Sequence, residues 1–153
     1  MSDKNISNTL SDKYRFLIRY VKPSYIEYGE PKEEIFQLRE DREPPEEYIS
    51  FYHSKKESMY EKISDIKSIL QKRNFKISKS SGFLSLNALD AIEEINITRE
   101  IISFKEERYP HYGMYYESSD IIDIQEAKTI LLYNCKLYLN RDLKSEDSSK
   151  KLI

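Results

Sequence analysis

The longest run of apolar residues at helical spacing lies near the end of the chain, between Asp123 and Leu139. Asp123 and Glu126 form the D-x-x-E pattern that is typical of a helix N-terminus. The apolar stripe that follows spans roughly 220° of the helix circumference, about twice what a surface helix needs. Its members are Ile124, Ala127, Ile130, Leu131, Leu132, Cys135, Leu137, Tyr138 and Leu139. The pattern therefore predicts a helix over 123–139 that packs against two neighbours and forms the centre of the core.

Residues 14–21 alternate aromatic or apolar side chains with other residues, which is the two-residue period of a strand. Leu17 interrupts the polar face, so a short helix is the competing interpretation. The residues predicted to face the core are Tyr14, Phe16, Ile18 and Tyr20. Further strands are predicted at 35–39, 75–78, 97–104 and 111–116.

Helices are predicted before and between these strands. Two consecutive prolines begin the first helix, over 44–52, because proline suits the first helical turn. Ser54 and Glu57 form a capping box that begins a longer helix ending near residue 73. A third helix is predicted from about residue 87 to residue 95. Together these elements predict a single compact α+β domain over 11–141. It has about four short strands and four helices, and the last of these helices is the buried C-terminal one. Residues 1–10 are predicted to be disordered, and 142–153 to form a polar tail.

Composition narrows the class of protein. The chain has 153 residues, of which 34% are charged and 39% apolar, and its net charge is −2. A single cysteine, Cys135, excludes an intrachain disulfide and favours a reducing, cytoplasmic environment. No apolar run approaches the roughly 20 residues of a membrane span, and no signal peptide is predicted. The abundance of Lys, Ile, Asn, Ser and Tyr indicates a bacterial or phage source.

Charge is unevenly distributed along the chain. Residues 27–47 hold nine acidic and three basic residues, a net charge of −6. A local field of this kind favours docking on a basic protein partner, although it is also typical of a solvated hairpin. The residues predicted to contact that partner are Glu33, Glu34, Glu40, Asp41, Glu43, Glu46, Glu47, Tyr48 and Tyr112. The leading interpretation is a small cytosolic protein-interaction module, such as an immunity protein, an antitoxin or an accessory subunit of a mobile-element or defence system.

Two basic segments support an alternative function in nucleic-acid binding. Residues 13–22 hold four basic and no acidic residues, and residues 55–79 hold eight basic and three acidic residues. A phosphate-binding patch would combine Arg15, Arg19, Lys22, Lys62, Lys67 and Arg73. Lysines that flank an apolar helix stripe more commonly cover the edge of the core with their aliphatic stems.

A third interpretation is a small hydrolase or nuclease. His111 opens a predicted strand beside Gly113, and histidine is the usual general acid or base near neutral pH. Arg39 would be its partner in the site, whereas a structural histidine is the competing reading. No C-x-x-C, H-x-x-x-H, H-E-x-x-H or G-x-S-x-G pattern is present, so neither a metal nor a cofactor is predicted.

Four segments resemble a group of small uncharacterised bacterial and phage-borne proteins. They are Val21-Lys-Pro-Ser24, Phe36-Gln-Leu-Arg39, Pro45-Glu-Glu47 and Pro110-His-Tyr-Gly-Met114, which give the pattern V-K-P, F-x-x-R and H-x-x-[IM]. The chain departs from that group at Tyr112-Gly113, where the group has Ala-Asn, and it lacks the group's tryptophan-bearing turn. The resemblance implies no activity and assigns no catalytic residue.

Overall fold

A six-stranded antiparallel sheet forms the centre of the fold. The computed structural model describes residues 15–143. The strands are β1 (Phe16–Val21), β2 (Ile26–Glu27), β3 (Glu30–Pro31), β4 (Ile49–Tyr52), β5 (Gly82–Asn87), β6 (Ile102–Arg108), β7 (His111–Tyr116) and β8 (Cys135–Leu139). The main sheet has the order β6-β7-β4-β1-β5-β8, and β2 pairs with β3 in a separate hairpin. The helices are α1 (Met59–Lys72), α2 (Ala88–Ile95) and α3 (Ile121–Tyr133), with two 3-10 helices at Pro23–Tyr25 and Glu33–Phe36.

Helices cover both faces of the sheet. On one face, α2, α3 and the second 3-10 helix enclose the larger apolar cluster. On the other face, α1 packs Ile63, Ile66 and Leu70 over a smaller cluster. The adjacent residues Leu17 and Ile18 are therefore both fully buried, one in each cluster. The prediction of a strand here is confirmed, whereas the prediction that only its even-numbered residues face a core is incomplete.

The prediction of an α+β class is confirmed, although the sheet has more strands than predicted. The strand at 111–116 and the helix beginning near residue 87 are confirmed, while β6 lies a few residues later than predicted. The predicted strand at 35–39 is wrong, because residues 33–36 form a 3-10 helix. The predicted helix over 44–52 is also wrong, because Ile49 and Phe51 alternate with less buried residues in β4.

Two further segments differ from the prediction. The predicted strand at 75–78 is wrong, and the strand lies instead at Gly82–Asn87, where five of six residues are buried. Gly82 is required there because an added Cβ would lie 2.9 Å from the main-chain oxygen of Tyr138. The long helix α1 begins at Met59 rather than at residue 54. Its capping box is formed by Ser58 and Glu61.

The predicted final helix is two elements. Asp120 caps α3 by accepting hydrogen bonds from two main-chain N–H groups, and Asn134 ends the helix. Residues 135–139 then form β8, the edge strand beside β5. The apolar stripe predicted for a single helix is too wide because it combines residues of two elements. Its members up to Leu132 lie in α3, and those from Cys135 onwards lie in β8. Ile121 and Ile122, which precede the stripe, are 81% and 68% exposed.

The structure describes only part of the segments that flank the predicted domain. Residues 1–10 and 144–153 lie outside the described residues. Residues 140–143 are helical, and Leu143 is buried in the cluster beneath α1. Among residues 15–143, no helix combines the length and apolar character needed to cross a membrane.

We expect Cys135 to react at least about tenfold more slowly with a thiol reagent in the native protein than in the unfolded chain. The residue is partly exposed at the start of β8, but burial raises the pKa of its thiol, and the thiolate is the reactive form. The measurement is the rate of modification by a chromogenic disulfide at pH 8, with and without denaturant. Equal rates would contradict the burial of the thiol.

Candidate functional site

The main sheet opens between its two central strands. β1 and β4 share only the pair Ile18 and Tyr52, so the strands separate beyond it. A cleft of about 230 Å³ lies in this opening. Its basic residues are Arg19, Lys22, Arg39 and Arg42, and its one acidic residue is Glu46. The remaining walls are formed by Ser50 and by Tyr20, Tyr25, Tyr52, Leu70 and Phe75. We refer to this feature as the arginine cleft.

Arg19 connects the elements that form the arginine cleft. Its Nε donates to the carbonyl oxygen of Ile35 at 3.1 Å, and its Nη1 donates to that of Ser50 at 3.0 Å. The side chain is accessible from the cleft, yet it is enclosed enough for burial to lower its pKa, against the opposing field of Glu46. Arginine nevertheless stays protonated in proteins. Within residues 15–143, no carboxylate lies within ion-pair distance of this guanidinium.

The other two arginines lie on the loop over 39–46, which Glu46 closes. The Glu46 carboxylate accepts from the main-chain N–H of Arg39 at 2.6 Å, and the Glu46 N–H donates to the Arg39 carbonyl at 3.0 Å. Arg39 pairs with Asp41 at 3.5 Å, which lowers the pKa of that carboxyl, and Arg42 pairs with Glu46 at 3.9 Å. Such long, exposed pairs contribute little free energy, so both guanidinium groups can exchange these contacts for an anion.

Aromatic rings continue from the arginine cleft across the sheet. Tyr52 stacks on His111 with the ring centroids 5.1 Å apart, His111 lies 5.6 Å from Tyr48, and Tyr48 lies 5.2 Å from Tyr115. Gly113 makes room for this arrangement, because an added Cβ would lie 2.7 Å from the ring of Tyr48. We refer to these four residues as the aromatic row.

His111 also contacts the arginine cleft through Ser50. Its Nε2 lies 3.1 Å from Ser50 Oγ, a distance at which the imidazole can accept the hydroxyl proton. Burial lowers the pKa of His111, so the ring is neutral at pH 7 and can act as a base. A serine–histidine pair of this kind usually has a third group that orients the base. Among the described residues, His111 Nδ1 has no such hydrogen-bond partner.

The basic residues predicted to bind nucleic acid lie in different surroundings. Arg19 and Lys22 lie in the arginine cleft, and Arg73 is exposed at the C-terminus of α1. The other three are engaged elsewhere. Arg15 pairs with Asp90 at 3.2 Å, Lys62 donates to the carbonyls of Ser54 and Lys56, and Lys67 donates to Asn140 at 3.0 Å.

The acidic residues predicted to contact a partner are divided between exposed and internal roles. Glu34, Glu40, Glu43 and Glu47 are exposed. Glu33 accepts from Gln125 at 2.6 Å, while Asp41 and Glu46 pair with arginines of the cleft. Tyr48 is half-buried in the aromatic row. The prediction that Tyr112 contacts a partner is wrong, because this residue is 1% exposed and packs in the larger apolar cluster.

The sequence pattern does not place Ser50 or Arg42 in a site, and it does not join Tyr52 and Tyr115 to the basic residues of the arginine cleft. Ser50 and Tyr52 were assigned to a helix, where they would not flank an opening between strands. Arg42 was counted only as a charge within the acidic segment. The period-two pattern of residues 49–52 was the one local signal that could have placed Ser50 and Tyr52 on one sheet face.

Comparison with protein-family models, with curated proteins and with solved structures gives no match. Among residues 15–143, no group of three or more histidine, cysteine, aspartate or glutamate side chains is placed to hold a metal ion. A proposal of function therefore rests on the geometry of the arginine cleft.

Proposed function

We propose that the protein binds a phosphate-bearing ligand in the arginine cleft. The observation that carries this proposal is Arg19, an enclosed guanidinium that faces a cleft without a carboxylate at ion-pair distance within the described residues. Enclosed charges in proteins are normally paired, and a ligand anion would supply the missing partner.

The charge and shape of the arginine cleft favour phosphate over a smaller anion. Four basic residues and one acidic residue line the walls, and a cleft with one dominant sign of charge concentrates ions of the opposite sign. Guanidinium groups form paired hydrogen bonds with phosphate oxygens. The volume of about 230 Å³ accommodates a phosphoryl group with part of the molecule that carries it.

Replacing Arg39 and Arg42 together by glutamine should weaken the binding of pyrophosphate about tenfold or more. Each residue would lose charge-assisted hydrogen bonds, which are worth about 1.5–3 kcal/mol when well formed. The fold should persist, because both side chains lie on an exposed loop. The measurement is calorimetric titration of the wild type and the variant with pyrophosphate at low salt.

The matched control is the double variant Lys62→Gln and Lys67→Gln. It removes the same amount of charge from α1, and neither lysine lines the arginine cleft. Unchanged pyrophosphate affinity in this control is expected. Loss of binding in the α1 variant alone would contradict the proposal and would favour the basic surface of the helix.

The two other functions expected from the sequence stay predictions. Docking of a protein on the acidic segment would use Glu34, Glu40, Glu43 and Glu47, since the other three acids predicted to contact it, Glu33, Asp41 and Glu46, have partners within the chain. Hydrolysis would use His111 and Arg39; Arg39 lines the arginine cleft, and His111 reaches its wall through Ser50. Phosphate binding is compatible with either activity, and it needs neither a partner protein nor a covalent step.

A further inference from the structure

The aromatic row has no role in phosphate binding, yet it begins at the arginine cleft. Tyr52 lines the cleft and stacks on His111, which places the first two rings nearly parallel, at an interplanar angle of 19°. Tyr48 and Tyr115 extend the row along the paired strands β4 and β7. A ligand group held at Arg19 is thus next to a continuous series of rings.

Each ring of the row is only partly buried. Tyr52 packs against the edge of the smaller apolar cluster, whereas Tyr48 and Tyr115 belong to neither cluster. The four rings contact one another at centroid distances between 5.1 and 5.6 Å. Gly113 supports the arrangement, since any larger residue at this position would displace Tyr48. A glycine in the middle of a strand is otherwise unfavourable, and it commonly marks a site of close approach.

The far end of the row carries a second positive charge. Lys105 is exposed, its Nζ lies 4.7 Å from the centroid of the Tyr115 ring, and it pairs with the Glu117 carboxylate at 3.9 Å. The hydroxyl of Tyr115 donates to Glu107. Burial, aided by that carboxylate, raises the pKa of Tyr115, so the tyrosine itself adds no negative charge to the row. The excess of positive charge therefore lies at the end of the row that meets the arginine cleft, and the far end carries charges of both signs.

We propose that the arginine cleft and the aromatic row together bind single-stranded nucleic acid. A backbone phosphate would lie between Arg19 and Arg39, and unpaired bases would stack on Tyr52, Tyr48 and Tyr115. This inference rests on the proposed function, because the phosphate in the cleft fixes the position of the strand. A positive groove beside aromatic rings is the arrangement by which proteins hold single strands with little sequence preference, since every base offers a ring face.

The test compares two oligomers with the same number of phosphates. One is an oligothymidylate of about eight nucleotides, within the usual site size. The other is an abasic oligomer of equal length. The chain contains 13 tyrosines and no tryptophan, so binding can be followed by quenching of tyrosine fluorescence without a tryptophan signal. We expect the oligothymidylate to bind at least about tenfold more tightly than the abasic oligomer, as the stacking of one or more bases provides.

Two variants test whether the preference for oligothymidylate over the abasic oligomer arises from the aromatic row. Tyr115→Leu should reduce the affinity for oligothymidylate to near that for the abasic oligomer. Tyr133→Leu is the matched control, because Tyr133 is 90% exposed at the end of α3 and belongs to neither the cleft nor the row. Equal affinity for the two oligomers in the wild type would overturn the inference. Equal affinity for a duplex of the same length would also overturn it, because paired bases cannot lie flat on the rings.

The outcomes separate this inference from the proposed function. If pyrophosphate binds and both oligomers bind equally, the arginine cleft is a phosphate site and the row does not contact bases. If pyrophosphate does not bind, and Arg39→Gln with Arg42→Gln leaves the affinity for oligothymidylate unchanged, the proposed function fails, and this inference fails with it.

Discussion

Leu131→Ala should lower the free energy of unfolding by about 2–5 kcal/mol. Leu131 is fully buried on α3 and belongs to the larger apolar cluster between α2, α3 and the sheet. Truncation removes the transfer free energy of the side chain and leaves a cavity that the surrounding strands can fill only in part. The measurement is urea unfolding followed by circular dichroism, with the midpoint and the slope determined separately.

Ile122→Ala provides the control on the same helix. Ile122 is 68% exposed, so its truncation should change the free energy of unfolding by no more than about 0.5 kcal/mol. A small effect at Leu131, or equal effects at both positions, would show that α3 is not an anchor of the core.

The segment from α3 to β8 shows which features of the fold the periodicity of the sequence can predict. The sequence pattern correctly places Ala127 and Leu131 on the buried side of a helix. It does not show where that helix ends, because residues 135–139 satisfy a helical and an alternating pattern equally well. The outcome is decided by tertiary structure, since β5 has an edge that β8 can pair with. The sequence of residues 123–139 alone does not indicate that the edge of β5 is available for pairing.

Some residues of the candidate site were predictable from the sequence, but their assembly was not. Arg19, Lys22, Arg39 and His111 were each identified from charge or chemistry. The first two were assigned to nucleic-acid binding and the last two to hydrolysis, because the four residues lie in segments that are far apart in the sequence. What brings them together is the separation of β1 from β4 after a single residue pair. An irregularity of this kind depends on pairing between distant strands, which is the part of a fold that local propensity specifies least.

Arg19→Met should have the largest effect on ligand binding. Arginine has five N–H donors, of which one at Nε and one at Nη1 serve the carbonyls of Ile35 and Ser50. The three remaining donors are available to an anion in the arginine cleft. Loss of two charge-assisted hydrogen bonds, at about 1.5–3 kcal/mol each, weakens binding by at least about 100-fold. The measurement is the pyrophosphate titration used for Arg39 and Arg42.

The same substitution should also lower stability. The carbonyls of Ile35 and Ser50 would lose their donor, at a cost of about 1–3 kcal/mol for each group that water does not reach. Removing an enclosed charge also removes its desolvation cost, which offsets part of this destabilisation. The net decrease in the free energy of unfolding is therefore expected to be smaller than for Leu131→Ala. Urea unfolding of Arg19→Met therefore accompanies the titration, which is performed at a temperature where the variant is folded.

Arg19→Lys distinguishes a ligand-binding role from a purely structural one. Lysine keeps the positive charge but lacks the planar fork, so it cannot serve both carbonyls and an anion together. If Arg19 binds the ligand, pyrophosphate affinity should follow the order Arg, Lys, Met. If Arg19 only holds the strands and the 3-10 helix together, the folded variants should bind pyrophosphate as well as the wild type while their unfolding midpoints fall. That result would contradict the proposed function, because the enclosed guanidinium would then be explained by its two carbonyl partners alone.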